Sequence, residues 1–538
     1  MKKVGSIFIA VALSLTTAIT PVLNVSAASI SSSSYPEALK DSIWFYDANK
    51  CGKDVAADNV FSWRSACHTT DGNDIGLDLT GGFHDCGDHI KFGITNGYSA
   101  SILGWSLYEF KDAFDASGNT NKMLSTLKYF TDYFMRCRES ATKYYYHVGD
   151  PSDHDYWGPP ELQTGSRSTK RYMGSGQGAA DVCGLYSGAL SLMYLNYKDI
   201  DSAYAEKCLT HAKELYALGK NNPGVGNGDA FYSSSDWKDD MAWAAMWLYV
   251  IEKNNSYLSD ANTWVPSPAT NWTICWNDMK LAVAAVGAEA TGDSKYKDAL
   301  DFSLSHWKNG VTTSGGGLKI LDSWGTLRYT AAESLLALVY HKLYKDDSSK
   351  AFAKSQIDYI LGNNPANMSY IIGFGSNYPK HPHHRAASGY VGWNDWKNPA
   401  KNVLTGALVG GPDSGDTYTD LTDKYTCSEV GIDYNAGLVG ALAGMVQFYG
   451  NIPQNTSTPT PQSPTPTPTN SSFKRGDINN DNSINAIDYG LLKQILLRIP
   501  TSVAVNMDAA DVNADGGVNS LDFGTLRGYL LGMLKIPQ

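Results

Sequence analysis

DDMAWAAMWLYVIE (239–252) decides the fold class of most of this 538-residue chain. Apolar side chains recur on nearly every face of a helix built from it, so that helix has no side to give to water and belongs inside a helical body. Other segments with helical spacing lie at 120–138, 179–197, 201–218, 277–291, 297–307, 328–344, 349–361 and 433–449. Within them TAAESLLALVYHKLY (330–344) reads as polar on one side and apolar on the other. Few stretches alternate with period two, so the expectation is one mainly α module over 28–452. Helical hairpins closed into a ring fit this pattern, although periodicity does not reveal closure. Long Gly-rich loops at 221–238 and 364–432 interrupt the helices, and loops of that length usually build a site.

Around this module the composition changes sharply. Residues 1–27 read as a secretory signal, with Lys2 and Lys3, an apolar run from Ile7 to Leu15, and Val25-Ser26-Ala27 as the cleavage site. Later apolar runs are too short to span a bilayer, so the expectation is a soluble, exported protein. Residues 453–472 are Thr, Pro, Ser, Gln and Asn and form a linker, and 473–538 form a separate small module. A net charge of −11 argues against nucleic acid and an anionic membrane surface as partners. Fourteen Trp and 33 Tyr are a heavy aromatic load, useful for a core and for gripping sugar rings. Eight scattered cysteines show no pairing pattern, and free thiols in an exported protein fit an anaerobic source.

The small module holds one loop written twice, DINNDNSINAID (477–488) and DVNADGGVNSLD (511–522). Oxygens at fixed loop positions come from Asp477, Asn479, Asp481, Asn485 and Asp488, then Asp511, Asn513, Asp515, Asn519 and Asp522, with Ser483 and Gly517 at the seventh positions. Such spacing wraps six to eight hard oxygens around one calcium ion. Gly516 and Asn482 stand at the sixth position, where the turn favours φ > 0. YGLLKQILL (489–497) and FGTLRGYLL (523–531) follow with helical spacing, and neither buries its apolar stripe unless the two pack together.

In GGFHDCGDHIKFG (81–93), Asp85 and Asp88 lie three apart in a Gly-rich loop, where both carboxylates can approach one water. One would take its proton and the other would hold it; a plain calcium loop is the competing reading. A second cluster, TDLTDKYTCSEVGIDYNAG (419–437), offers Asp420 and Glu429, the latter among small and apolar neighbours that raise a carboxyl pKa. Between them, in NYPKHPHHRAASG (377–389), His383 and Arg385 can bind a sugar hydroxyl or orient a carboxylate. Two carboxylate clusters in an aromatic-rich module suggest glycoside hydrolysis.

Residues 35–450 resemble glycoside hydrolase family 9, mostly inverting endo-β-1,4-glucanases on an (α/α)6 barrel. GGFHDCGDH matches its GGWYDAGDH, and SYIIGFGSNYPKHPHHR (369–385) and YTDLTDKYTCSEVGIDYNAG (418–437) match its two signatures, as do LDSWGTLRY (321–329), ALVGGPDS (407–414) and WGPPE (157–161). The resemblance implies Asp88 as general base, Asp85 as holder of the water and Glu429 as general acid. It implies that His383, Arg385, Asp420 and Tyr425 line or orient the cleavage site. Trp157, Trp276 and Trp324 resemble cleft aromatics, and His154 beside Trp157 is a further sugar contact. DVCGL (181–185) replaces the family's DVAGE, which puts a calcium in this module in doubt. Cys51, Cys67, His68 and His84 offer zinc two thiolates and two imidazoles, and some family members hold a structural zinc in this region. A buried thiol cluster or a Cys51–Cys67 disulfide are the alternatives.

The tail (475–535) resembles a type I dockerin, which plugs enzymes into scaffoldin cohesins. That resemblance places cohesin contacts at Ala486, Ile487, Ser520 and Leu521, with Lys493 and Arg527 as flanking basic positions. The whole then reads as a secreted cellulosomal endoglucanase acting on cellulose and other β-1,4-glucans, its catalytic module monomeric. A processive cellulase, a hydrolase preferring xyloglucan, lichenan or xylan, and a noncatalytic glucan-binding component are the alternatives.

Overall fold

A computed structural model describes residues 30–450, 474–496, 503, 505–514 and 518–536. The expected leader (1–27) and linker (453–472) lie outside the described residues, as do Asp515, Gly516 and Gly517. The chain divides into two compact units, up to Pro453 and from Gln454 onward.

Twelve helices build the body of the first unit: α1 Ser34–Asn49, α2 Gly93–Glu109, α3 Thr120–Arg136, α4 Ala180–Tyr197, α5 Ser202–Asn221, α6 Lys238–Glu252, α7 Asn255–Trp264, α8 Lys280–Thr291, α9 Ser294–Asn309, α10 Thr326–Tyr344, α11 Asp347–Leu361 and α12 Ile432–Tyr449. The even-numbered helices pack in sequence, α2 on α4, α4 on α6, α6 on α8, α8 on α10, α10 on α12, and α12 returns to α2. Each odd-numbered helix backs the ring from outside. This is the (α/α)6 barrel that the resemblance implies.

Side-chain patterns explain the sorting. Helix α6 is buried without interruption from Asp239 through Leu248, as its all-round apolar reading requires. Outer α3 buries Met123, Leu127, Phe130 and Phe134, a single stripe. The two-faced reading of 330–344 is overturned, because α10 is an inner helix buried from Tyr329 through His341. Its polar groups are satisfied inside: Glu333 accepts from Thr273 Oγ1 at 2.7 Å and Ser303 Oγ at 3.3 Å, and Ser334 Oγ donates to the Thr330 carbonyl at 2.7 Å.

Helices α1, α2 and α7 were not expected from periodicity. Helix α2 contains Gly93, Gly97 and Gly104, which weaken helix propensity. Close packing uses them. A Cβ on Gly97 would stand 2.8 Å from that of Leu185 on α4, and one on Gly437 of α12 would stand 2.8 Å from the Ala332 Cα on α10. A small antiparallel sheet leads into α2: β1 (Lys91–Phe92), β2 (Arg138–Ser140) and β4 (Arg171–Gly174) all pair with β3 (Lys143–Val148).

In the second unit α13 (Ala486–Leu496) and α14 (Ser520–Leu530) pack together as the repeat anticipates. Tyr489 and Phe523, equivalent positions of the two copies, stack at 4.1 Å and 12°. Ile478, Leu491, Leu492, Ala510, Val512, Leu526 and Ile536 form the core. Asn482 takes φ 68°, as its loop position demands.

Candidate active site

Three loops meet at one end of the barrel. The 81–90 loop is clamped to α2 by Asn96, whose Nδ2 donates to the Phe83 carbonyl at 3.0 Å while its Oδ1 accepts the Phe83 N–H at 3.1 Å. Buried Lys91 donates to the Leu79 and Gly81 carbonyls at 2.6 and 3.0 Å and pairs with Asp71 at 2.8 Å. At Gly87, φ is +78° and a Cβ would strike His384, so only glycine lets this loop approach the 381–385 segment. There the Arg385 N–H donates to the Gly87 carbonyl at 2.9 Å. The third loop joins through the 425–431 segment, where Glu429 and His383 form a parallel backbone bridge.

Asp85 is 2% exposed. Its Oδ2 accepts from the Tyr232 hydroxyl, its Oδ1 is buried without a well-formed hydrogen bond among the described residues, and the Thr95 hydroxyl also favours its charged form. Burial, then the charges of Asp88 and Asp433, push its pKa well above the ordinary carboxylate range, while the Tyr232 hydrogen bond opposes that shift. Asp88 accepts from the Ile90 N–H at 3.2 Å and meets His154 Nδ1 at 2.9 Å. Glu429 Oε2 accepts from Trp324 Nε1 at 2.7 Å and from the Tyr434 hydroxyl at 3.0 Å. Burial nonetheless raises the Glu429 pKa above the ordinary carboxyl value, which shifts it toward the acid form.

His383 Nδ1 contacts the Thr422 carbonyl at 2.9 Å, and burial holds its pKa down to about 3. Arg385 donates to the Tyr156 and His154 carbonyls at 3.1 and 2.6 Å, and its Nη1 is buried without a partner among the described residues. Asp420 accepts the backbone N–H groups of Lys380 and His381 at 2.8 and 3.0 Å, and so fixes the approach to His383. Tyr425, 42% exposed, stands edge-on to His383 at 4.9 Å. Trp276 lies edge-on to Tyr232 at 5.0 Å, and Trp324 is 46% exposed. Trp157 differs from a stacking surface open to solvent: it is 1% exposed, with Arg385, Trp393 and Trp396 against it.

Tyr232, Tyr434, Arg328 and Asp433 were missed as site residues. Arg328 pairs with Asp433 at 3.3 Å and lies over Tyr434 at 4.8 Å. Tyr232 falls in the Gly-rich 221–238 loop, which by its length was the available signal.

Behind the catalytic loop, ligand atoms of Cys51, Cys67, His68 and His84 all lie within 4.8 Å of one another. His68 Nδ1 is 3.0 Å from His84 Nε2 and 3.6 Å from Cys51 Sγ, and His68 Nε2 meets Gln163 Oε1 at 2.9 Å. The glutamine oxygen can only accept, so Nε2 is the donor and Nδ1 is the nitrogen turned toward His84 and Cys51. A hydrogen bond from Cys51, helped by Arg64, lowers the Cys67 thiol to about 7.

In the second unit, Asp477 and Asp488 are 2% and 0% exposed and accept only backbone N–H groups among the described residues, including Asn482 N at 2.7 Å and Ile478 N at 2.7 Å. Asp522 accepts from Asn513 N and Asn519 N at 3.1 and 2.7 Å. Ile487 and Leu521 are 58% and 64% exposed, and Ala486, Lys493 and Arg527 are also exposed. The Ser520 side chain lies outside the described residues.

Comparison with known proteins agrees with this fold. Residues 35–442 match glycosyl hydrolase family 9, and residues 475–531 match the dockerin type I domain. Endoglucanase A of Bacillus pumilus is 37% identical over 453 residues, covering 79% of this chain and 68% of that protein. Endoglucanase B of Cellulomonas fimi is 39% identical over 460 residues, covering 80% of this chain and 44% of that protein. The crystal structure of the cellulase Cel9M of C. cellulolyticum superposes with a TM-score of 0.76 at 57% identity, over 77% of this chain and 99% of that one. Endoglucanase CelQ of Clostridium thermocellum, solved with cellotriose, gives 0.70 at 34% identity, over 80% of this chain and 73% of that one. The tail is thus a type I dockerin, and with its barrel, loops and signatures in agreement the chain belongs to glycosyl hydrolase family 9.

Proposed function

We propose that the chain is an exported endo-β-1,4-glucanase that cuts internal bonds of cellulose with inversion and docks to a scaffoldin cohesin. The observation that carries the catalytic reading is the meeting of Glu429, Asp85 and Asp88 on adjoining loops: burial pushes both Glu429 and Asp85 toward their acid forms, and the charge of neighbouring Asp88 adds to the push on Asp85. Glu429 donates its proton to the glycosidic oxygen as the bond to the anomeric carbon breaks. Water attacks that carbon from the opposite face and gives its proton to Asp88, while Asp85 Oδ1 accepts the water's other O–H. One water is consumed, no sugar–enzyme bond forms, and the new reducing end is α. Arg385 Nη1 and the neutral His383 ring supply hydrogen bonds for sugar hydroxyls.

The endoglucanase names of the relatives and the CelQ–cellotriose complex support the substrate class. Among the described residues no helix is long and apolar enough to cross a membrane. Two sulfurs and two imidazole nitrogens in reach of one point fit four-coordinate zinc, with Gln163 fixing the His68 tautomer. Such an ion would brace His84, the residue before Asp85, and would not touch substrate. The carboxylates and amides of the two dockerin loops fit calcium, since Asp477 and Asp488 are buried with no Lys or Arg nitrogen against them among the described residues. Leu185, which replaces the family's glutamate, is fully buried, and no calcium is assigned to the barrel.

Time-resolved proton NMR of fresh products from cellopentaose tests the mechanism. Initial α-anomers are expected; initial β-anomers would require a covalent intermediate and overturn the roles of Asp88 and Glu429.

A further inference from the structure

The loop after Arg385 carries Trp393 and Trp396 in the sequence GWNDW (392–396). Trp393 is 50% exposed, yet its ring is not loose. It packs on Trp157 at 5.3 Å and 47° and on Trp396 at 5.1 Å and 80°, and Trp396 stands edge-on to Trp157 at 5.0 Å. Trp157 beneath them is anchored: its Nε1 donates to Ser388 Oγ at 3.2 Å, and its carbonyl accepts the Gly392 N–H at 2.8 Å. The loop returns along the same segment, with the Lys401 N–H on the Ser388 carbonyl at 3.2 Å and the Asn402 N–H on the Ala387 carbonyl at 3.1 Å. Lys397 ties the loop to Asp423 on the segment that leads to Glu429. An aromatic face held this way can receive a ligand with little further loss of freedom.

The same stack runs into the catalytic site. His383 lies 5.1 Å from Trp157, 6.3 Å from Trp396 and 4.9 Å from the exposed Tyr425. Beside Trp393 the exposed neighbours are Val391 and the polar Asn394, Asp395 and Lys397, so polar groups stand at the edge of the ring. A flat ring with hydrogen-bonding groups at its edge matches a pyranose. In a β-1,4-linked glucosyl unit every ring substituent is equatorial, so each face presents only C–H bonds to the negative face of an indole.

We propose that Trp393, backed by Trp157 and Trp396, is a stacking platform for a glucosyl unit lying beyond those at the scissile bond. This rests on the glucanase reading above. The platform lengthens the gripped stretch of chain, so its contribution grows with substrate length and appears in KM more than in kcat.

The test uses the full chain, with Trp393→Ala and Trp393→Phe, in steady-state hydrolysis of cellohexaose and cellotriose. Calorimetric titration of cellohexaose into the same variants in a Glu429→Gln background accompanies it. Trp393→Ala is expected to weaken cellohexaose binding and raise its KM by roughly five- to tenfold, with a smaller change on cellotriose, while Trp393→Phe restores most of the loss. Equal losses on both oligosaccharides would mean that Trp393 only supports Trp157 and His383, and would overturn the proposal. Wild-type affinity in Trp393→Ala would overturn it as well. Should the wild-type chain bind cellohexaose but not cut it, the glucanase reading fails while the titration still decides the platform.

Discussion

His383 and Glu429 lie side by side as a parallel backbone bridge, with the His383 N–H donating to the Ser428 carbonyl at 2.9 Å. Movement of either segment therefore moves both side chains. Burial keeps the imidazole neutral by lowering its pKa to about 3, so His383 is a hydrogen-bonding neighbour that adds no further cation to Arg328, whose charge already acts on the proposed acid. A charged His383 would join Arg328 in favouring the carboxylate, against the burial that raises the Glu429 pKa.

Replacing Glu429 with Gln removes the acidic proton. Turnover of unactivated glucan should fall about 10²- to 10⁴-fold, with the melting temperature close to wild type because Gln can still accept from Trp324 and Tyr434. Near-normal turnover in initial-rate assays on carboxymethylcellulose would move the acid role elsewhere. In the wild-type enzyme the basic limb of the pH profile should mark loss of the Glu429 proton, at a pH above the usual carboxyl range.

Tyr232→Phe deletes the hydroxyl that favours the charged form of Asp85. Without it the Asp85 pKa climbs further, so the acidic limb of kcat should shift to higher pH and kcat should drop roughly 10- to 100-fold. A pH–rate profile that superposes on wild type would remove Tyr232 from the site.

Glu333 sits inside the barrel with its pKa raised to about 8 by burial. The folded state then holds a proton that the unfolded chain releases near pH 4.5. That contribution to stability is complete below the unfolded value and is lost as pH rises toward about 8. Glu333→Gln should flatten the fall in melting temperature across this window. An unchanged slope in scanning calorimetry would place the titration elsewhere.

Metal analysis of the purified full chain should find about one zinc, in addition to the calcium proposed for the dockerin loops. Cys51→Ser should lose that zinc, lower the melting temperature by several degrees and reduce kcat through the looser 81–90 loop. Zinc at full occupancy in Cys51→Ser would exclude this ligand set.

The helical class was legible because DDMAWAAMWLYVIE has no polar face, and α6 proved to be inside. The same logic failed for α10, since Glu333, Ser334 and Thr330 look like a solvent face until Thr273 and Ser303 are seen donating to Glu333, and the two hydroxyls donating to backbone carbonyls. It failed for α2 because glycine lowers propensity, while what glycine permits there, contact with Leu185, is tertiary. Motif residues such as Asp85, Glu429 and His383 were readable because their spacing is local. Tyr232 reaches Asp85 across 147 positions, and nothing local announces such a partner.

Ring closure has a consequence for how this molecule comes into being. The 81–90 loop enters the first inner helix and Glu429 leads into the last, and those two helices, α2 and α12, are the seam at which the barrel shuts. The proposed base and acid are thus contributed by opposite ends of the module and meet only when the final wall is in place. An unfinished or opened barrel cannot be a weak glucanase. Hydrolysis itself becomes an all-or-none report of closure, and a nick in an intervening loop that carries no site residue should leave activity intact for as long as the seam holds.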